Sequence, residues 1–267
     1  MITFITSVRH PYNCNGSFDD VRGLLAQTLH SIMSQGAPDH RIIVVAGAPF
    51  APPVVDDRIT YVEVDFPPPS TARTASFGMP DLRIDRGGKY LIGLIAAKRL
   101  GTDHVMFVDA DDYVSDRLAA HSAAQPQAPG WFLDRGYLYD RGRAELGVLD
   151  DFHLLCGTSH VVAGHLLPTP ADLPLDAAYD TVLSSVPRDY LVRILGSHRW
   201  IAGHLAAAGT PLAPLPFLGA VYHVGHGENH TARSGTLVVR PCPLSEPVRR
   251  EFGIPPTLRT SAETVAR

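Results

Sequence analysis

The chain has 267 residues, of which 45% are hydrophobic and 19% charged, so it can form one large domain or two modest ones with a sizeable core. Its formal net charge of −4 argues against a general nucleic-acid-binding protein, and no apolar run is long enough to cross a bilayer. The first residues do not read as a signal peptide. The three cysteines are dispersed, which fits a reducing compartment, and we expect a cytoplasmic protein without a disulfide framework or structural zinc.

The first half of the sequence alternates between strand and helix patterns. Apolar or β-branched runs predict strands at residues 2–8, 41–45, 59–64 and 104–108. One helix is expected from near Ser17 or Asp19 to Gly36, and another over roughly residues 89–100. Residues 70–80 are expected to form a flexible loop. This order predicts an α/β fold whose mostly parallel sheet is covered by helices.

The second half of the sequence is less regular. Strand or hairpin segments are expected over residues 131–139 and 152–162, and a buried strand over residues 217–224. Helices are expected over residues 181–195 and 200–208. After about Arg240 the chain is rich in Pro and Arg, which predicts a surface wrap, a lid or a disordered tail.

The strand predicted over residues 104–108 ends abruptly in Asp109-Ala110-Asp111-Asp112. Ligands of open α/β sheets bind outside the carboxyl ends of strands, and in an extended backbone Asp109 and Asp111 point to the same side. Two converging carboxylates suit Mg²⁺ or Mn²⁺, and such an ion needs an anionic partner such as a diphosphate. The alternatives are a solvated loop or a helix near Tyr113 that Asp111 or Asp112 caps.

The order of these elements resembles that of GT-A nucleotide-sugar glycosyltransferases, in particular glycosyltransferase family 2. The segment Thr28-Leu29-His30-Ser31-Ile32-Met33-Ser34-Gln35 resembles the T-L-x-S-I-x-x-Q pattern of the first helix there, and Asp109-Ala110-Asp111 resembles the DxD strand end. The resemblance is good over residues 1–115, weaker to about residue 232 and absent from the tail. It implies a Rossmann-like GT-A fold with a nucleotide-sugar-binding half at residues 1–114, a smaller acceptor-binding half at residues 115–239 and a tail at residues 240–267.

The function implied by this resemblance is metal-dependent transfer of a sugar from a nucleoside-diphosphate sugar to a hydroxyl of a glycan, lipid-linked or small-molecule acceptor. The sequence departs from the family in two places. The acidic residues that often follow the second strand are replaced by Ala46-Gly47-Ala48-Pro49, so the nucleobase is not predicted. The usual Glu-Asp pair of the acceptor half is also missing.

Two segments are candidates for binding the nucleotide. Thr6, Ser7 and Arg9 offer hydroxyls and a guanidinium at the end of the first strand, which suit a base, ribose or phosphate. The alternative is that the hydroxyls bond to local backbone and the guanidinium is solvated.

The second segment is Asp85-Arg86-Gly87-Gly88-Lys89, which we expect at a helix start. There the glycines would let the backbone approach an anion at the helix N-terminus. Arg86 and Lys89 would add charge-assisted bonds to a diphosphate, and Asp85 would accept from a ribose hydroxyl. The alternative is an ordinary helix start, and the spacing of a P-loop is absent.

Three late histidines follow the strand predicted over residues 217–224. By the resemblance, one of them completes the metal site, with His226 the first choice, His223 the second and His230 also available. His198 is a further candidate for contact with a phosphate or the acceptor, and residues 156–160 are implied to line the donor-sugar pocket.

A transfer that inverts the anomeric centre needs a general base for the acceptor hydroxyl. The resemblance places such a carboxylate near a helix start in the acceptor half, which favours Asp189, with Asp180 as the alternative. Helix capping is the other explanation for both residues, and a retaining enzyme would need no such base.

Two other functions are compatible with parts of this sequence. A sugar nucleotidyltransferase would share the order of the sheet and the metal carboxylates, but we would expect a Gly-rich loop where Ser7-Val8-Arg9-His10-Pro11 contains no glycine. The other alternative is a non-catalytic nucleotide-sugar-binding protein.

Overall fold

The first four strands are the apolar runs that the sequence predicts. In the computed structural model, which describes residues 1–69, 79–229, 237 and 239–256, they are β1 (Ile2–Ser7), β2 (His40–Gly47), β3 (Ile59–Val64) and β4 (His104–Val108). They are parallel in the order β3-β2-β1-β4, and Ile5 of β1 lies between Ile43 and Phe107. All of β4 is buried, as expected for a strand with both faces covered.

The later strands extend this sheet and form a second one. They are β5 (Tyr113–Val114), β6 (Gly130–Phe132), β7 (Arg135–Asp140), β8 (Glu145–Asp150), β9 (His160–Ala163), β10 (Ala213–Pro214), β11 (Ala220–Val224) and β12 (Arg240–Pro241). The first sheet continues beyond β4 through β9, β6 and β10, and β9 is antiparallel to both of its neighbours. The second sheet has the order β12-β8-β7-β11-β5.

Helices cover both faces of the first sheet. The described α-helices are α1 (Phe18–Met33), α2 (Met79–Arg99), α3 (Leu118–Ala123), α4 (Phe152–Leu155), α5 (Tyr179–Ser184), α6 (Ile201–Ala207) and α7 (Glu246–Phe252). Alternate residues of β1 and β2 point to opposite faces. Phe4 packs in one apolar cluster with Leu25 and Leu29 of α1, whereas Ile5 packs in another with Leu91 of α2. The predicted fold class, a mostly parallel sheet flanked by helices, is confirmed.

The start of α1 follows from a local sequence signal. The Ser17 hydroxyl accepts the Asp20 backbone N–H (3.1 Å), and the Asp20 carboxylate accepts the Ser17 N–H (3.2 Å), which is a capping box.

None of the helices in the described ranges has the length and apolar character needed to span a bilayer.

The second helix begins at Met79 and not near Lys89. Residues 70–78 of the predicted loop lie outside the described residues, whereas residues 79 and 80 are helical. The segment 85–89 therefore lies within α2, and its predicted position at a helix N-terminus is wrong. Its glycines serve packing: a Cβ on Gly87 would lie closer than 3.0 Å to the Leu191 carbonyl oxygen, and one on Gly88 would lie 3.1 Å from the Phe66 ring.

Several predicted elements of the second half differ in detail. Residues 152–155 form α4, so only the end of the predicted strand at 152–162 is extended, and β8 was not predicted. The helix predicted over residues 181–195 is divided into α5 and a π-helical turn (Tyr190–Leu195). A 3₁₀ turn (His198–Trp200) precedes α6. Residues 113–114 form the short strand β5, so the alternative in which Asp111 or Asp112 caps a helix near Tyr113 is wrong.

Residues 240–256 of the predicted tail are packed against the second sheet. Strand β12 pairs with β8, and Phe252 and Ile254 share an apolar cluster with Tyr113 and Val221. These contacts agree with a surface wrap and contradict disorder in this segment. Residues 257–267 lie outside the described residues.

The contact between α2 and the π-helical turn depends on Gly87. We expect Gly87→Ala to lower the free energy of unfolding by about 1–3 kcal/mol, because the new methyl group would overlap the Leu191 backbone. The matched control is Gly23→Ala in α1, where a Cβ meets nothing within 4 Å, and which should stabilise the protein by about 0.5–1 kcal/mol. Urea denaturation measures both, and equal stabilisation by the two substitutions would contradict the close approach.

Candidate functional site

A cavity of about 210 Å³ lies at the carboxyl ends of β1 and β4, where ligands of open α/β sheets bind. The predicted site residues that line it are Ser7, Arg9, Asp85, Arg86, Asp109 and Asp111. The predicted site residues outside its lining are Thr6, Lys89, Asp189 and His226. The cavity also receives residues from three segments far along the chain, at 155–157, 196–199 and 222–229.

Asp109 and Asp111 follow β4 into this cavity, and each meets a different basic partner. Asp109 Oδ1 accepts a short hydrogen bond from Arg86 Nη2. Asp111 Oδ2 lies 3.1 Å from His226 Nε2. The side chains of Asp109 and Asp111 are 25% and 19% exposed, so a ligand in the cavity can reach both carboxylates.

These partners make the two neighbouring carboxylates unequal. Burial raises the pKa of Asp109, an effect that the Arg86 charge opposes and the Asp111 charge increases. Burial also raises the pKa of Asp111, but the hydrogen bond and charge of His226, together with the Arg9 charge, outweigh it and leave this pKa lowered. Asp111 is therefore the more acidic carboxyl group of the pair.

Asp112 has a framework role that the sequence reasoning did not assign. Its buried carboxyl group accepts hydrogen bonds from Thr158 Oγ1 (2.6 Å), Cys156 Sγ (3.1 Å) and the His223 N–H (3.0 Å). Burial, with the charges of Asp111 and Asp109, raises the pKa of Asp112 well above its ordinary value. The return to apolar residues directly after Asp112 is the sequence signal that this carboxyl group points inward.

Gly157 brings the segment before β9 directly against the first ion pair. A Cβ at this position would lie closer than 3.0 Å to both Asp109 Oδ2 and Arg86 Nη2. In the segment 156–158, Gly157 therefore contacts the Arg86–Asp109 pair. Cys156 and Thr158, on either side of it, donate to Asp112. Gly157 lines the cavity, in the region where the resemblance implies the donor sugar.

Glu228 anchors the loop after β11 and was also missed from the sequence. Its carboxylate, 4% exposed, accepts from Arg9 Nη1 (3.0 Å) and from the backbone N–H groups of Asn15 (3.0 Å) and Gly16 (2.5 Å). These bonds hold Arg9 at the cavity and join the loop after β11 to the loop after β1. An isolated Glu between glycine-rich neighbours carries no periodic signal that would have revealed this contact.

His226 lies beside Asp111 with its ring oriented as a hydrogen-bond donor. Its Nδ1 accepts the Glu228 backbone N–H (3.2 Å), which leaves the ring proton on Nε2, the nitrogen that faces Asp111. In this arrangement His226 orients Asp111.

Of the other late histidines, His223 lies within the described residues. His223 lies buried near the rings of Tyr113 and Tyr139, with its Nδ1 3.2 Å from the Asp111 carbonyl oxygen. Burial and the His226 charge lower the pKa of His223 to about 4. His230 lies outside the described residues. Across the described ranges, no three His, Cys, Asp or Glu side chains form a group that could hold a metal ion.

Four further predicted residues lie outside the cavity lining. Lys89 is buried, and its Nζ donates to Asp85 Oδ2 (2.8 Å) and to the Val8 carbonyl (3.0 Å), which ties α2 to the loop after β1. Thr6 is fully buried within β1. Asp189 is 81% exposed, with Oδ2 3.9 Å from Arg193 Nε, and Asp180 is exposed at the start of α5.

His160 and His198 lie on the α4 side of the site, and both are held neutral. Burial, followed by the charges of His198 and His153, lowers the pKa of His160 to about 3. Burial, followed by the Arg86 charge, lowers the pKa of His198 to about 3. The Nε2 atoms of both rings are buried without a hydrogen-bond partner among the described residues.

No family model and no curated protein matches the sequence. Among solved structures, the chain resembles S. aureus TarS 1-349, with 14% identity over 83% of this chain and 60% of that one and a TM-score of 0.40. It resembles a nucleotidyl transferase from Methanothermobacter thermautotroptrophicus (Mth528), with 14% identity over 84% and 87% of the two chains and a TM-score of 0.39. It also resembles 4-diphosphocytidyl-2C-methyl-D-erythritol synthase from Anaerococcus prevotii, with 13% identity over 86% and 89% and a TM-score of 0.36.

The chain spans 60% of TarS 1-349 and 36% of the longer TarS structure. At 14% identity or less, these similarities assign neither a family nor a reaction to the protein.

Removing the Glu228 charge should loosen the loops on both sides of the cavity. We expect Glu228→Gln to lower the free energy of unfolding by about 3 kcal/mol, because Arg9 would lose a buried partner. The control Asp150→Asn removes an exposed ion pair with Arg240 and should change stability by no more than about 0.5 kcal/mol. Equal effects in urea denaturation would contradict the anchoring role of Glu228.

The neutral His160 should make the protein less stable in acid. In the unfolded chain, His160 has its ordinary pKa of 6.5 and binds a proton below that pH. In the folded chain its pKa is about 3, so it binds the proton only in stronger acid. The free energy of unfolding should therefore fall as pH falls through this window, by about 1.4 kcal/mol per pH unit from this residue. Urea denaturation at several pH values should show a shallower decrease for His160→Gln, and an unchanged slope would contradict the buried neutral state.

Proposed function

We propose that the protein is a metal-dependent glycosyltransferase that moves a sugar from a nucleoside-diphosphate sugar to an acceptor hydroxyl. The observation that supports this most directly is the position of Asp109 and Asp111, which line one cavity at the end of β4. Arg86 and Arg9 line the same cavity. Carboxylates for a divalent cation beside guanidiniums for phosphate oxygens suit a diphosphate ligand.

The chemistry of the carboxylate pair fits Mg²⁺ or Mn²⁺. Ions of this kind are commonly held by one or two carboxylates, with water and substrate phosphates completing the shell. Asp109 and Asp111 would hold the ion, and His226 would orient Asp111 through its Nε2–H in place of the predicted third ligand. Bound there, the ion would supply Lewis-acid stabilisation of the departing diphosphate.

The residues around the pair have matching roles in this proposal. Arg86 neutralises Asp109, and its guanidinium is positioned to pair with a phosphate oxygen once Asp109 has another partner. Arg9 is held by Glu228 through one nitrogen, which leaves other donors for the ligand. Asp85 lines the cavity with Oδ1 buried and without a partner in the described chain, so it can accept from a ribose hydroxyl. Lys89 supports Asp85 from within the protein.

Transfer with inversion also requires that the acceptor hydroxyl lose its proton. A general base must come within hydrogen-bond distance of the acceptor hydroxyl. Asp189 lies outside the cavity lining and is largely exposed, so its role stays a prediction from the resemblance.

Thermal-shift measurements with nucleoside diphosphates, triphosphates and nucleotide sugars, each with and without Mn²⁺, test the proposal. Ligands that bind the native state raise Tm by mass action. We expect a Mn²⁺-dependent rise with diphosphates or nucleotide sugars of one base, and its loss in Asp111→Asn. A rise with triphosphates alone would indicate the nucleotidyltransferase, and no rise with any ligand would contradict nucleotide binding.

Loss of either carboxylate should also stop catalysis. We expect Asp109→Asn and Asp111→Asn to slow release of nucleoside diphosphate from the bound nucleotide sugar, with water as acceptor, by at least about 100-fold, because the metal contributes several kcal/mol. Asp150→Asn, which changes an exposed carboxylate far from the cavity lining, is the control. Full activity in a folded Asp111→Asn protein would refute the metal role. Nucleotide-sugar binding without turnover in the unaltered protein would instead indicate a non-catalytic binding protein.

A further inference from the structure

Two of the four arginines that line the cavity are not paired with a carboxylate among the described residues. Each of the four carboxylates that line it already has a basic partner, as described above. Arg83 and Arg199 line the same cavity, and within the described ranges neither forms an ion pair with a carboxylate. The Nε of Arg199 donates to the Leu154 carbonyl oxygen (3.1 Å), which fixes its stem, and its terminal nitrogens have no acceptor among the described residues.

Arg83 lies beside an exposed indole ring, that of Trp200, which is next to Arg199 in the sequence and lies outside the cavity lining itself. The Arg83 guanidinium lies 5.3 Å from the centre of the Trp200 ring, and that of Arg193 lies 5.9 Å from it. Trp200 is 40% exposed. The contact depends on Gly196, because a Cβ there would lie closer than 3.0 Å to the Arg83 carbonyl oxygen. The segment 196–200 therefore packs closely against α2, and the guanidiniums of Arg83 and Arg193 lie near the Trp200 ring.

This gathering of like charges is unfavourable without a counter-ion. Burial, followed by the charges of Arg199 and Arg86, lowers the pKa of Arg83, as expected for a guanidinium that lies near other guanidiniums. A guanidinium is well suited to bind phosphate or carboxylate, and an aromatic ring beside it supplies apolar surface that orients a ligand. His198 adds a buried Nε2 without a partner among the described residues, at the same part of the lining.

We propose that Arg83, Arg199 and Trp200 form the acceptor subsite, and that the acceptor carries an anionic group. The inference rests on the proposed function, in which the donor diphosphate occupies the end of the cavity near Asp109, Asp111 and Arg86. A second anion is then needed to match Arg83 and Arg199. In the transfer, the acceptor oxygen bonds to the anomeric carbon, the bond from that carbon to the diphosphate breaks, and the hydroxyl proton passes to solvent. The subsite positions the acceptor and takes no covalent part.

The test compares three probes of similar size, glucose 6-phosphate, glucuronate and glucose. Binding to the full chain is measured by calorimetry in the presence of Mn²⁺ and a saturating concentration of the nucleoside diphosphate that gives the largest thermal shift. We expect at least one anionic probe to bind at least about tenfold more tightly than glucose, as charge-assisted bonds to guanidinium groups would give. The comparison of phosphate with carboxylate identifies the preferred anion.

Variants then test whether Arg83 and Arg199 cause the preference for the anionic probe. In Arg83→Gln with Arg199→Gln, the tighter binding of the anionic probe should disappear while the nucleoside diphosphate still binds. Arg240→Gln removes an exposed arginine of the second sheet and should keep the preference. Both proteins are first shown to be folded by circular dichroism.

Two outcomes would overturn the acceptor subsite. Equal affinity for the three probes in the unaltered protein would show that no anion is selected. Loss of glucose 6-phosphate and glucuronate binding when the nucleoside diphosphate is added would show that Arg83 and Arg199 belong to the donor site. Failure of every nucleotide to bind would instead refute the proposed function. Probe binding without nucleotide would then still reveal whether the two arginines select an anion.

Discussion

The buried carboxyl group of Asp112 joins three segments that are far apart along the chain. It accepts from the segment before β9 through Cys156 and Thr158, and from β11 through the His223 backbone. Burial of this group is tolerated because both of its oxygens accept hydrogen bonds. The turn after β4 is thereby fixed between the two sheets, and Asp109 and Asp111 are held facing the cavity.

Three other carboxylates of the site are also paired within the protein. Asp109 pairs with Arg86, Asp111 with His226, and Glu228 with Arg9. A charged ligand that binds near these pairs therefore exchanges partners with them, whereas Arg83 and Arg199 have no carboxylate partner among the described residues. Exchange of this kind keeps each carboxylate compensated at every stage, which limits the cost of holding several charges in a partly buried space.

The parts of the fold that sequence reasoning predicted are those with local signals. The strands β1 to β4 have apolar periodicity, Ser17 and Asp20 form a capping box, and the carboxylate cluster follows a buried strand. The parts that it missed depend on distant contacts. Gly87 and Gly88 were interpreted as part of a helix start. Their true role is to pack against Leu191 and Phe66, which are distant in sequence, so the local pattern does not reveal it. Lys89 looked available to a ligand because nothing nearby in sequence shows that the Val8 carbonyl accepts its hydrogen bond.

The bond between Glu228 and Arg9 spans 219 positions of the chain, and that between Ser115 and Glu251 spans 136. During synthesis, a nascent chain that has emerged as far as β9 already contains Asp109 and Asp111 but not β11, Glu228 or α7. At that stage its carboxylate turn lacks the donors that His223 and His226 supply. Assembly of the site therefore waits until these distant segments have all been made, and contacts of such long range are typical of domains that fold slowly.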